Sequence, residues 1–248
     1  MIDLRKGDCL EVMKSIPSGS IDAIITDPPY GTTACKWDSV IDFQAMWKEL
    51  NRIIKPNGAI LLFGSQPFTS ALIMSNPKNF KYEWIWQKSH ATGHLNSKKQ
   101  PMRQHENICV FYRSQCTYKP QMIDKTYIDK RTKSGDNNKV NVYGDFKKVT
   151  RQIPTTQGYP KTIQYFATPF KGREGGKHPT QKPILLMEYL IRTYTNEGET
   201  VLDFTMGSGS TMVACQNTNR KGIGIEQDEK YFKIAEQRIK ENQYKLFN

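Results

Sequence analysis

A doubly wound, mostly parallel α/β sheet is the fold class this sequence predicts, and three stretches predict it. Ile21-Asp-Ala-Ile-Ile-Thr26 and Val201-Leu-Asp-Phe204 are short apolar runs of the kind that form strands buried on both faces. Gly222-Ile-Gly-Ile-Glu226 reads as a third. Between the last two lie a glycine-bearing turn and a helix candidate, Met212–Asn217, which together make a βαβ unit. Units of that kind wind helices over the faces of a parallel sheet.

The remaining elements follow in chain order. Asp8 is placed to cap a helix over Cys9–Lys14. After the Ile21–Thr26 strand comes an amphipathic helix at Phe43–Ile54, with the stop signal Lys55-Pro-Asn-Gly58 and a buried strand at Ala59–Phe63. Tyr82–Trp86 and Asn107–Tyr112 read as two more strands. Between them, Lys88–Gln104 reads as a polar loop carrying His90, His94, Lys98, Lys99 and Arg103. From Ser114 to Gly176 periodicity fades, and Lys, Asn, Gly, Thr and Pro dominate. Pro183 then opens an apolar helix at Ile184–Thr195. About four strands come from the N-terminal segment and only a pair from the C-terminal one, so neither completes a sheet of common size. The expected organisation is one domain built from residues 1–113 and 177–248, with 114–176 as a basic inserted region.

Charge is unevenly distributed over the 248 residues, whose formal net charge is +12. Arg113–Lys182 holds 15 Lys/Arg against 5 Asp/Glu, and the rest of the chain 21 against 19. The basic stretch is interleaved with Tyr118, Tyr127, Tyr143, Phe146, Tyr159, Tyr165 and Phe166, a combination that favours a polyanion partner, nucleic acid above all. The N-terminus lacks the apolar core of a secretory signal, and no apolar run approaches a membrane span. Five scattered cysteines without a CxxC pair suit reduced thiols and a cytoplasmic location. His90, His94, His105 and Cys109 fit no common zinc spacing, so no metal is expected.

Two segments carry the chemistry. Asp27-Pro28-Pro29-Tyr30 closes the first strand, and two consecutive prolines force the chain out of the sheet at its C-terminal edge. Open α/β sheets bind ligands at that edge. A carboxylate, a proline carbonyl freed from the ladder and an aromatic ring held on one corner suit an exocyclic amine of a nucleobase. The amine needs two acceptors, and the base a ring to stack on. An ordinary strand-ending turn is the competing reading. In the second segment, Thr205-Met-Gly-Ser-Gly-Ser-Thr211 follows a strand, and Glu226 ends the next one, placed to hold ribose hydroxyls. Met212 stands where a dinucleotide fingerprint would need its third glycine, which argues against a nicotinamide or flavin cofactor.

The order of these motifs resembles that of the permuted β group of DNA amino-methyltransferases, which use S-adenosylmethionine. The resemblance spans nearly the whole chain. It rests on Gly7-Asp8-Cys9-Leu-Glu11, Asp27–Tyr30, Asn57–Gly64, His105–Tyr112, His178-Pro-Thr-Gln-Lys-Pro183, Asp203–Thr211 and Gly224-Ile-Glu226. It implies a circularly permuted, Rossmann-like sheet with a target-recognition insert, and a methyl transfer to adenine N6 in double-stranded DNA. Asp rather than Ser at position 27 leans to adenine on this ground alone, with cytosine N4 as the alternative and a noncatalytic nucleic-acid-binding shell as a more distant one. By the same resemblance, Asp27, Pro28, Pro29 and Tyr30 are catalytic. Asp8 and Cys9 lie near the adenine of the cofactor, Glu226 with Gln227 near its ribose, and Asp203, Phe204, Gly207, Gly209, Ser210 and Thr211, with Thr180 and Lys182, around its methionine end. Thr205 stands where the family often has an aromatic residue. A homodimer and a partner restriction endonuclease are further implications.

Overall fold

The computed structural model describes residues 1–31, 39–124, 156–169 and 181–247. Its main unit comprises Met1–Lys119 and Thr162–Asn248. Eight strands form one sheet in the order β1-β10-β9-β2-β3-β5-β4-β8. They are β1 (Ile2–Lys6), β2 (Ile21–Thr26), β3 (Ile54–Gly64), β4 (Phe80–Thr92), β5 (Arg103–Phe111), β8 (Ile163–Tyr165), β9 (Thr200–Asp203) and β10 (Lys221–Glu226). All neighbours are parallel except at β5, which runs antiparallel to both β3 and β4. The expected mixed, mostly parallel α/β sheet is present. A second unit, Pro120–Lys161, contains β6 (Ile123–Asp124) paired antiparallel with β7 (Gln157–Gly158).

The apolar runs are continuous because both faces of the sheet are covered. Successive strand residues point to opposite faces. Ala59, Leu61 and Phe63 of β3 therefore join one core, and Ile60 and Leu62 the other. Helices α4 (Ile184–Tyr194), α5 (Ser210–Asn217) and α6 (Glu229–Phe247) pack on the first face. Helices α1 (Cys9–Met13), α2 (Phe43–Ile53) and α3 (Phe68–Ser75) pack on the second. In α2 the stripe Met46, Trp47, Leu50, Ile53 recurs at helical spacing and is buried, and the Asp42 carboxylate caps the helix by accepting from Ala45 N–H at 2.8 Å.

Several elements differ from the sequence reading. Helix α2 ends at Ile53, as the stop signal Lys55–Gly58 implies, but that segment does not separate the helix from the next strand. It lies within β3 as an irregularity, the register jumping from Ile21↔Ile54 to Ala23↔Ala59. A Cβ at Gly58 would stand 2.8 Å from the Asp22 carbonyl oxygen, so this bulge requires glycine. The loop expected at Lys88–Gln104 is shorter: β4 runs on to Thr92 and β5 begins at Arg103, leaving residues 93–102, which hold a 3₁₀ helix at His94–Asn96. The strand residues there are polar apart from Ala91, so no apolar periodicity marks them. The main unit reaches Lys119 and resumes at Thr162, inside the region read as an insert. Cys116 is buried in the core, and β8 lies alongside β4. Strands β1 and β8 and helices α3 and α6 were not read from sequence. Residues 125–155 and 170–180, which hold Thr180 and most of the basic stretch, lie outside the described residues. Among the described residues, no helix is long and apolar enough to cross a membrane.

Candidate active site

Strands β1, β10, β9 and β2 are parallel neighbours, so their C-terminal ends open on one edge of the sheet. A cleft of about 290 Å³ lies there. Its walls bring together Asp8, Cys9, Asp27, Pro28, Pro29, Tyr30, Lys182, Asp203, Phe204, Gly207, Ser210, Thr211, Glu226 and Gln227, every one of them expected from sequence. Gly209 lies just behind, as the N-cap of α5. Reading the sequence alone missed Ile41, Met187 and Tyr231, which add apolar and aromatic wall. No motif marks them.

The two chemistry segments are bonded to each other. Thr26 and Asp203 end adjacent strands, and the Thr26 hydroxyl donates to Asp203 Oδ1 at 2.6 Å while accepting from Phe204 N–H at 2.9 Å. Thr205 donates its hydroxyl to the Asp27 carbonyl at 3.0 Å. The position where the family often has an aromatic residue therefore holds a hydroxyl that ties the glycine turn to the Asp27 corner. Phe204 is only 1% exposed and belongs to the core on the α1–α3 face, so it backs the cleft more than it lines it.

Gly207 (φ 53°) and Gly209 (φ 79°) take the left-handed conformation that lets the turn fold tightly against α5. Glu226 closes this turn from the next strand. One carboxylate oxygen accepts from Gly207 N–H at 2.9 Å and the other from Asp228 N–H at 2.8 Å. Burial pushes the Glu226 carboxyl above the ordinary range, and these two donors oppose the shift. Arg238 on α6, also missed, braces the turn from behind by donating to the Ser208 carbonyl at 2.5 Å and the Ser208 hydroxyl at 2.9 Å. Met212, at the missing third glycine, is fully buried. The close approach that glycine would allow is supplied from the strand side: a Cβ on Gly222 would stand 2.8 Å from Met212 Sδ.

Asp203 is buried at the cleft wall, accepting from the Thr26 and Thr211 hydroxyls and Thr205 N–H. Burial lifts its carboxyl to about 6, against those three donors. A raised carboxyl binds its proton more tightly in the folded state, so this residue's contribution to stability falls as pH rises from about 4 to 6. The change is on the order of 3 kcal/mol. Asp203→Asn is expected to flatten the dependence in that window, as read by urea unfolding at pH 4.5, 5, 6 and 7. An unchanged slope would assign the dependence to other groups.

Asp8 serves as the cap expected of it, with Oδ1 accepting from Leu10 and Glu11 N–H at 2.9 and 3.2 Å, and it also faces the cleft. Burial pushes the Cys9 thiol up to about 12, helped by Asp8, so it stays protonated and acts as apolar wall. At the Asp27 corner, the Tyr30 hydroxyl donates to Asp27 Oδ1 and the Lys182 ammonium to Oδ2. The Tyr30 ring rests against Phe68, with centroids 5.0 Å apart. Among the described residues, five acidic side chains (Asp8, Asp27, Asp42, Asp203, Glu226) and one lysine line the cleft of a protein whose net charge is +12. Such a wall disfavours a pyrophosphate and suits a cationic ligand.

Comparison with known proteins agrees. A family described as DNA methylase matches residues 21–237. The chain belongs to the DNA methylase family. Among relatives of this methylase, the type II methyltransferase M.HpaI of Haemophilus parainfluenzae is 28% identical over 94% of this chain and 72% of its own. The DNA adenine methyltransferase YhdJ of Escherichia coli (strain K12) is 28% identical, covering 94% and 81%. The solved structure of the M1.HpyAVI–SAM complex superposes with a TM-score of 0.63 at 27% identity, over 96% of this chain and 100% of that one. The cytosine-N4-specific PvuII DNA methyltransferase, 17% identical, shares the fold with a TM-score of 0.66 over 98% and 92%.

Proposed function

We propose that this DNA methylase transfers the methyl group of S-adenosylmethionine to the N6 amine of an adenine flipped out of duplex DNA. One observation carries the reading: the Asp27–Tyr30 corner and the Gly207–Glu226 cradle open into one cleft from adjacent strands. The residues fit the cofactor. Glu226, held by two backbone donors, keeps lone pairs for ribose hydroxyls, and the acidic wall suits a sulfonium. When bound, the cofactor supplies an electrophilic methyl group.

The protein's own role is to prepare the amine. Its lone pair is delocalised into the base, and acceptance of its N–H bonds by the Asp27 carboxylate and the Pro28 carbonyl localises that pair on nitrogen. The same acceptors stabilise the positive charge that develops as the N–C bond forms, an electrostatic contribution often the largest in catalysis. Asp27 stands ready to receive the proton that the amine then sheds. Tyr30, anchored by its hydroxyl to Asp27 and by its ring to Phe68, offers a fixed platform to the base. Flipping the base costs a few kcal/mol, recovered from phosphate and base contacts. We assign those contacts to basic residues within 114–176, outside the parts of that stretch that join the main sheet and core, as a recognition insert in a permuted chain.

Adenine is favoured over cytosine by Asp at position 27 and by relatives such as YhdJ. The type II relatives support a restriction–modification role beside a cognate endonuclease. Incubation with methyl-labelled S-adenosylmethionine and unmethylated genomic DNA, followed by nucleoside mass spectrometry, is expected to yield N6-methyladenine. N4-methylcytosine would overturn the base assignment, and unlabelled DNA despite cofactor binding would overturn the reaction.

A further inference from the structure

Asp27 sits in a chain of alternating charges that methyl transfer as described does not use. Lys182 Nζ is bonded to Asp27 Oδ2 and lies 3.3 Å from Glu106 Oε2. Glu106 Oε1 accepts from Lys88. Glu106 comes from β5, Lys88 from β4 and Lys182 from the segment before α4, so three elements converge on the corner. The Lys182 side chain is 8% exposed and that of Glu106 13%. The ammonium also lies 5.1 Å from the Phe63 ring centroid. Buried charges are costly unless paired, and among the described residues Glu106 Oε2 faces the Lys182 ammonium alone.

We propose that Lys182 is a positioning residue for methyl transfer that keeps Asp27 an acceptor aimed into the cleft, and that Glu106, itself paired with Lys88, positions and holds charged that lysine. This rests on the reading of Asp27 as the acceptor for the amine. It departs from the expectation that Lys182 holds the methionine end of the cofactor.

The groups around Asp27 act in opposite directions. Burial pushes its carboxyl up, Lys182 pulls it down, Glu106 pushes it up and the Tyr30 hydroxyl pulls it down, and the balance leaves it above the ordinary carboxylate range. Asp203, at the end of the neighbouring strand, is a further carboxylate within electrostatic reach. Burial alone would pull the Lys182 ammonium down, but Asp27 and Glu106 outweigh it and hold it charged. Glu106 in turn is lowered, its burial outweighed by Lys182 and Lys88. Glu106 thus acts on Asp27 in two opposed ways: its own charge raises the acid, while it holds charged the lysine that lowers the acid.

Opposite signs make the test sharp. Lys182→Met removes the group that lowers Asp27, so the acid limb of the kcat–pH profile is expected to move to higher pH. Activity at neutral pH then falls about tenfold or more and returns as pH is raised. Glu106→Gln removes a group that raises Asp27 and steadies Lys182, so both limbs are expected to move to lower pH. Lys182→Arg, which keeps the charge, should stay near the parent profile. In each case the KM for S-adenosylmethionine is expected to hold.

A raised KM for S-adenosylmethionine in Lys182→Met, with both limbs unmoved, would return Lys182 to the cofactor and overturn the proposal. Should Lys182→Met fail to fold, an unmoved profile in Glu106→Gln overturns it alone. A readout independent of DNA is the ¹³C carboxyl resonance of Asp27, identified by its loss in Asp27→Asn. Its midpoint should rise in Lys182→Met and fall in Glu106→Gln, whatever the enzyme methylates, and an unmoved midpoint in both sinks the idea.

Discussion

Asp27→Ala is expected to abolish methyl transfer while leaving the cofactor bound. The carboxylate is the group on which the amine depends, and loss of one preorganised stabilising group of this kind costs about 10²–10³ in rate, roughly 3–4 kcal/mol. The cofactor cradle survives because the glycine turn touches Asp27 only through its main-chain carbonyl, which accepts from Thr205 at 3.0 Å and is kept in the variant. The substitution also leaves the buried Lys182 ammonium with Glu106 alone of its two carboxylates, so some stability is lost as well. Single-turnover rates beside calorimetric titration of S-adenosylmethionine separate the two effects. Substantial turnover by the variant would remove Asp27 from its role. Loss of cofactor binding with a folded protein would show that the corner and the cradle are not separable.

Glu226→Ala should do the reverse, weakening S-adenosylmethionine by about 100-fold with a smaller effect on the rate at saturating cofactor. Its carboxylate holds Gly207 N–H and Asp228 N–H, so the change removes both a ligand contact and the clasp that shapes the turn. The pH dependence carries a second signature. The carboxyl is raised by burial, and only the ionised form accepts from hydroxyls on both oxygens. Affinity in the parent should therefore weaken as pH falls through that raised value, and the Ala variant should be flat. Parent-like affinity in the variant, measured by calorimetry, would take the ribose away from Glu226.

Much of this site was legible in the chain because its components are backbone devices with residue signatures. Two prolines after an apolar run must turn out of a sheet, and glycines after a second run must permit a tight turn. The parallel pairing Ala23↔Val201 then places both turns at one edge. What escaped were contacts that no local pattern encodes. Arg238 lies on a helix whose apolar residues, among them Ala235 and Ile239, are spaced widely among charges, and its bonds to Ser208 cross 30 residues of sequence. Glu106 reads as one polar residue at the start of a strand, and only the fold shows that it meets Lys182 and Lys88. Lys182 counted toward the basic middle of the chain, yet its charge is turned inward.

The sheet order has a consequence for synthesis. At its centre β2, complete by residue 26, pairs with β9 at residues 200–203, and β1 at the edge pairs only with β10. Such distant pairings incur loop closure before they gain contacts. A chain emerging from the ribosome holds Asp27 from the start but has no neighbour for β2 on that side until nearly all of it has been made. Competence to modify DNA therefore arrives late and at once, and unfinished chains present an open strand edge rather than a half-working enzyme.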